Sequence, residues 1–68
     1  MAMEVRLNGE IRTLVRAKTI LGLLEEIGCH PQTVIVEHNG IALRRSEWQE
    51  ALLQPNDQIE VVRVVAGG

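Results

Sequence analysis

MEVRLNGEIRTLVRAKTILGLLEEIG, residues 3–28, carries two periodicities in succession. Met3, Val5 and Leu7 alternate with Glu4 and Arg6, the period of a strand with one buried face. Asn8-Gly9 follows, a dipeptide suited to the positive φ angles of a type I′ turn, so residues 10–15 are predicted to fold back as the second strand of a hairpin. Ile11, Thr13 and Val15 are expected to line its inner face, leaving Leu14 as a lone surface leucine. The period then changes. Ile20, Leu23, Leu24 and Ile27 form one apolar stripe of an amphipathic helix, with Glu25 and Glu26 toward solvent. Thr19 is the expected N-cap, Gly28 suits the left-handed position that ends a helix, and Pro31 keeps it from resuming. Gly22, inside the helix, weakens it by roughly 1 kcal/mol relative to alanine, which a close helix-to-sheet contact would explain.

Beyond this unit, residues 33–37 (TVIVE) read as a third strand, turned by His38-Asn39-Gly40 into a stub at residues 41–43. Ser46, Glu47, Trp48 and Gln49 have the S-x-x-Q form of a capping box, which predicts a helical turn starting at Ser46 and pressing Trp48, Leu52 and Leu53 toward the core. Residues 54–57 (QPND) supply a turn before a final β-branched strand, QIEVVRVV at residues 58–65. Strands around one amphipathic helix imply an α+β domain, a mixed sheet of four to five strands packed on one main helix. In the last strand Ile59 and Val61 occupy one face, yet Val62 and Val64 are apolar on the other. A bulge, a covering segment such as the short helical turn, or an exposed docking patch would each account for them.

Composition narrows the function. A chain of 68 residues is one domain, 1–68, near the lower limit for unaided folding. Seven basic against nine acidic residues argue against a phosphate-backbone partner, and Trp48 alone offers no stacking platform for bases. There is no apolar run near the roughly 20 residues of a membrane span and no signal-peptide pattern, so a cytoplasmic protein is expected. Met1-Ala2 reads as a short leader before a start at Met3. Cys29 cannot form an internal disulfide, and with His30 beside it but no second cysteine a metal site is not expected. A nucleophilic Cys29 paired with His30 or His38 would still need an orienting Asp or Asn, and none is obviously placed. No catalytic set emerges, which points away from an enzyme.

The chain ends Val65-Ala66-Gly67-Gly68. Two glycines lack Cβ atoms and let a partner's backbone come very close, so residues 66–68 are expected to be a flexible tip that threads a narrow slot from a rigid strand. This tail, together with MEVRLNGE, the TILGLLEEIG helix and RRSEWQEALLQPNDQIEVVRVVAGG, resembles the small ubiquitin-like sulfur carriers, most closely the ThiS type of the thiamine pathway. One departure is Pro55-Asn56-Asp57, where many relatives have an Asp-Gly-Asp turn.

The resemblance covers the whole chain and implies a β-grasp fold and a definite chemistry. A ThiF-type adenylyltransferase would spend ATP, with magnesium, to adenylate the Gly68 carboxylate. A persulfide from a donor such as a cysteine desulfurase would convert it to a thiocarboxylate, and a ThiG-type thiazole synthase would accept the sulfur. The carrier itself would bind no cofactor. Gly67, Ala66 and Val65 would thread into partner sites. Independently of the resemblance, the broken alternation of the last strand leads to the expectation that Val62 and Val64, with Arg63 on the opposite side, form part of the docking surface. The resemblance extends to the small subunit of molybdopterin synthase, and a ubiquitin-like modifier that joins target lysines is the remaining alternative.

Overall fold

The turn at Asn8-Gly9 sets the first hairpin. Its residues hold φ of 50° and 84°, the left-handed pair that a type I′ turn requires. In this computed structural model, which describes residues 2–64, the turn joins β1 (Met3–Leu7) to antiparallel β2 (Glu10–Leu14), with Leu7 opposite Glu10 and Met3 opposite Leu14. Residues directly opposite each other share a sheet face. The inner face of β2 is therefore Glu10, Arg12 and Leu14, and the expected set of Ile11, Thr13 and Val15 lies outside. Leu14 is 1% exposed, whereas Ile11 and Val15 are 64% and 67% exposed.

Helix α1 (Ile20–Glu26) buries Ile20, Leu23 and Leu24 completely. Thr19 Oγ1 caps it by accepting the Gly22 N–H at 3.1 Å. At the other end Gly28 has φ of 79°, and its N–H donates to Glu25 O at 3.2 Å while the Cys29 N–H donates to Leu24 O at 2.9 Å. That pair of bonds is a Schellman motif. A Cβ on Gly22 would lie 3.4 Å from Thr19 Oγ1 and 3.5 Å from Ala17 Cα, so its close neighbour is the connection from β2 rather than the sheet. Glu26 is exposed, yet it does more than face solvent. Its carboxylate accepts the N–H groups of Val15, Arg16 and Ala17 at 2.6, 2.9 and 2.7 Å. The bonds from Val15 and Arg16, with that from Ala17, hold its carboxyl below the usual value against some desolvation.

A 3-10 turn at Pro31–Thr33 leads into β3 (Val34–His38), which pairs with β4 (Ile41–Leu43) through a second left-handed Asn-Gly turn. The next 3-10 turn, Arg45–Glu47, has its cap at Arg44, two residues before the expected cap Ser46. Glu47 is the reason: its carboxylate reaches back to the Arg44 N–H at 2.7 Å. Trp48 and Leu53 enter the core, at 2% and 6% exposure, but Leu52 is 67% exposed. Backbone pairing explains the difference. Leu52 forms a bridge with Thr19 and the Leu53 N–H donates to Lys18 O, and adjacent residues of extended chain point to opposite sides.

Pro55 and Asn56, the latter at φ 72°, form the turn closed by the Asp57 N–H on Gln54 O at 3.1 Å. β5 (Gln58–Arg63) then inserts parallel to β1 and antiparallel to β3, giving the strand order β2-β1-β5-β3-β4. One helix on a five-stranded mixed sheet with this order is the ubiquitin-like β-grasp fold. The core between them consists of Val5, Leu7, Leu14, Ala17, Ile20, Leu23, Leu24, Val34, Val36, Trp48, Leu53 and Ile59.

Candidate functional site

The open face of the sheet at the end of β5 carries Val62 and Val64, two of the three residues expected to dock a partner. The pairing of β5 with β3 runs unbroken from His38 opposite Ile59 to Val34 opposite Arg63, so no bulge accounts for the extra valines. No segment among the described residues covers them either. Val62 is 58% exposed, its cross-strand neighbour Ile35 53%, and Val64 46%. Val64 continues the pairing beyond the strand, donating its N–H to Thr33 O at 2.7 Å. Arg63 is exposed on the opposite face of β5, the side of Ile59 and Val61.

Ile35 and Val62 form an apolar pair across two central strands. The next pair on that face is Glu37 opposite Glu60, both exposed. Like charges directly opposite each other weaken a sheet. The face therefore offers an apolar contact bordered by two carboxylates, which suits an apolar partner carrying a basic group. Sequence reading found Val62 and Val64 but missed Ile35 and Glu37. The signal for Ile35 was available: in TVIVE it is the apolar residue out of phase with Val34 and Val36.

The other candidate groups are dispersed or structural. Cys29 is half-buried against the core just after α1, and His30 is exposed. His38 does have an orienting partner, contrary to expectation: its Nε2 lies 2.7 Å from Asp57 Oδ2. That carboxylate also accepts the Gln54 N–H at 2.9 Å and Asn39 Nδ2 at 3.1 Å. Burial pushes the Asp57 carboxyl up, and the bonds from His38, Gln54 and Asn39 outweigh it, holding the group below its usual value. The cluster fastens the turn that leads into β5. A hollow of about 560 Å³ opens between Val15, Lys18, Gly22 and Glu25, but the three N–H groups at its rim are already taken by Glu26. Among the described residues no three His, Cys, Asp or Glu side chains gather as metal ligands. No helix among them is long and apolar enough to cross a membrane. Val65, Ala66, Gly67 and Gly68, the expected threading and loading residues, lie outside the described residues.

Residues 5–68 match the model of the ThiS family. The chain belongs to the ThiS family. A crystal structure of the thiamine biosynthesis protein ThiS from Geobacter metallireducens superposes with a TM-score of 0.81 at 26% identity, covering 97% of this chain and all of that one. Among curated relatives, a thiazole synthase of Magnetococcus marinus is 39% identical over 66 residues, and one from Paramagnetospirillum magneticum 30% identical over the same length. The match takes in 97% of this ThiS-family chain but only 20% of either synthase, so the chain spans about a fifth of the length of these relatives.

Proposed function

We propose that this chain is a sulfur carrier of thiamine biosynthesis, loaded at the Gly68 carboxylate and acting as a co-substrate rather than an enzyme. The observation that carries the reading is the family match, which extends to residue 68 and takes in the diglycine. A carboxylate acylates poorly because oxide is a poor leaving group. In the proposed sequence its oxygen attacks the α-phosphorus of ATP on an adenylyltransferase, with magnesium, and pyrophosphate departs. A persulfide sulfur then attacks the acyl adenylate and AMP leaves. A thiol reduces the resulting acyl disulfide, forming a disulfide with the donor and releasing the thiocarboxylate.

The thiocarboxylate sulfur is a soft nucleophile on a folded handle. Docking through Val62, Val64 and the neighbouring Ile35 raises its effective concentration at the acceptor enzyme. Gly67, Ala66 and Val65 are assigned to the passage into partner sites. A thiazole synthase is the favoured acceptor, supported by the two synthases that contain a matching segment within their own length. The adenylyltransferase, a cysteine desulfurase as sulfur source, and a cytoplasmic setting are proposed on family likeness alone.

Intact mass spectrometry tests the reading. Incubation with the activating enzyme, ATP and a persulfide donor should exchange one terminal oxygen for sulfur, and deleting Gly67 and Gly68 should abolish the exchange. Conjugation to lysines in place of sulfur uptake would instead identify a modifier.

A further inference from the structure

The backbone ladder between β1 and β5 is short: only Arg6 opposite Gln58 and Leu7 opposite Ile59 are paired. β1 then turns away at Asn8. Its backbone N–H makes one more bond, to Ile59 O at 2.9 Å, and beyond that point no β1 backbone accompanies β5. The Asn8 side chain takes over. Its Oδ1 accepts the Val61 N–H at 2.7 Å and its Nδ2 donates to the Val61 carbonyl at 3.2 Å. One carboxamide thus satisfies both backbone groups of Val61, which a continuing parallel strand would pair through two of its residues. Among the described residues these are the last hydrogen bonds on the β1 side of β5, one residue before Val62. The opposite side is held by β3 as far as Val64 N–H on Thr33 O.

We propose that the Asn8 carboxamide is a positioning group for the loading end of the chain: by clamping Val61 it fixes the direction in which β5 delivers the residues that follow to a partner's active site. The inference rests on the sulfur-carrier reading. Asn8 carries two duties that can be separated. Its positive φ, 50°, is needed for the turn, and glycine supplies it equally well. The carboxamide is needed only for Val61. A strand end anchored on one side can swing about its remaining partner, and an angular error at Val61 grows along the residues beyond it. Reaction rates at an enclosed site are sensitive to such misplacement.

Asn8→Gly keeps the turn and deletes the clamp. Asn8→Asp keeps the acceptor for the Val61 N–H but places a carboxylate against the Val61 carbonyl. Thr19→Ala weakens the fold at the helix cap, outside the clamp, and serves as the matched destabilised control. Rates of sulfur loading by the activating enzyme are measured by intact mass at a temperature where all four proteins are folded, alongside hydrogen exchange of the Val61 amide. For Asn8→Gly a loss of kcat of about tenfold with KM little changed is expected, because Ile35 and Val62 still dock, and Val61 exchange should accelerate. Asn8→Asp should fall between Asn8→Gly and wild type, and Thr19→Ala should load like wild type. If wild type loads and Asn8→Gly loads as fast, or slows no more than Thr19→Ala, the proposal is overturned and the carrier reading stands. If wild type gains no sulfur, the carrier reading fails and takes this proposal with it.

Discussion

His38 Nε2 lies 2.7 Å from Asp57 Oδ2, joining the end of β3 to the turn that launches β5. Asp57 is buried and accepts two further hydrogen bonds. Its carboxyl is depressed relative to the unfolded chain, so the stability it contributes is present above the ordinary carboxylate pKa and lost as pH falls through the lower folded value. Chemical denaturation of wild type should therefore weaken progressively below about pH 4. Asp57→Ala should reduce stability at pH 7 by about 2 to 3 kcal/mol and flatten the acid limb. An unchanged acid limb would remove Asp57 from this role.

The first hairpin gives a contrast between two residues three positions apart. Leu14→Ala empties a fully buried site and should destabilise by about 2 to 5 kcal/mol. Ile11→Ala, on the exposed face, should stay within about 0.5 kcal/mol of wild type. Denaturant midpoints of the two variants measure the difference directly, and equal losses would contradict the observed register.

Trp48 is 2% exposed and its indole N–H has no hydrogen-bond partner among the described residues. Trp48→Phe removes that unsatisfied donor along with some volume, and the two effects oppose each other. A net loss of no more than about 1.5 kcal/mol is expected, against about 3 to 5 kcal/mol for Trp48→Ala. Thermal unfolding of the pair checks the ranking.

Glu37 and Glu60 face each other across β3 and β5, and neither forms a salt bridge among the described residues. Glu60→Gln should stabilise the domain by about 0.2 to 1 kcal/mol, with the gain shrinking as salt is added. If the carboxylates serve a basic partner, the same variant should associate more slowly with it at low ionic strength.

Ile35→Thr combined with Val62→Thr keeps the β-branched shape on both strands while removing apolar contact. On the proposed docking role, the KM of the proposed activating enzyme for this chain should rise by about tenfold, with the melting temperature nearly unchanged. Titration of enzyme with the double variant settles whether this patch is where the partner sits.

The features legible in the sequence are those whose partners lie within one turn of chain. Asn8-Gly9, the Thr19 cap and the Gly28 terminator all adopt the geometry their residue types favour. The face of β2 was misjudged because alternation alone does not fix register. A two-residue turn places Glu10 opposite Leu7, which already assigns Leu14 to the inner face. Ser46 misled in a similar way, since the glutamate three residues after Arg44 competes better for the turn's start. The clamps between Asn8 and Val61 and between His38 and Asp57 join residues far apart in sequence. No local pattern announces them, and they emerge only once the strand order is known. Within the candidate site, Val62 and Val64 were legible as a broken alternation, while the Glu37 and Glu60 pairing required the register of β3 on β5.

β5 lies between β1 and β3 although it is the last of the described strands. Until residues 58–63 leave the ribosome, the two hairpins present raw edges to each other's absent neighbour, and a stalled or prematurely ended chain would be a template for aggregation rather than a smaller folded domain. Chains that stop before residue 58 therefore lack the strand that joins the two hairpins, and are expected to be left without a folded domain.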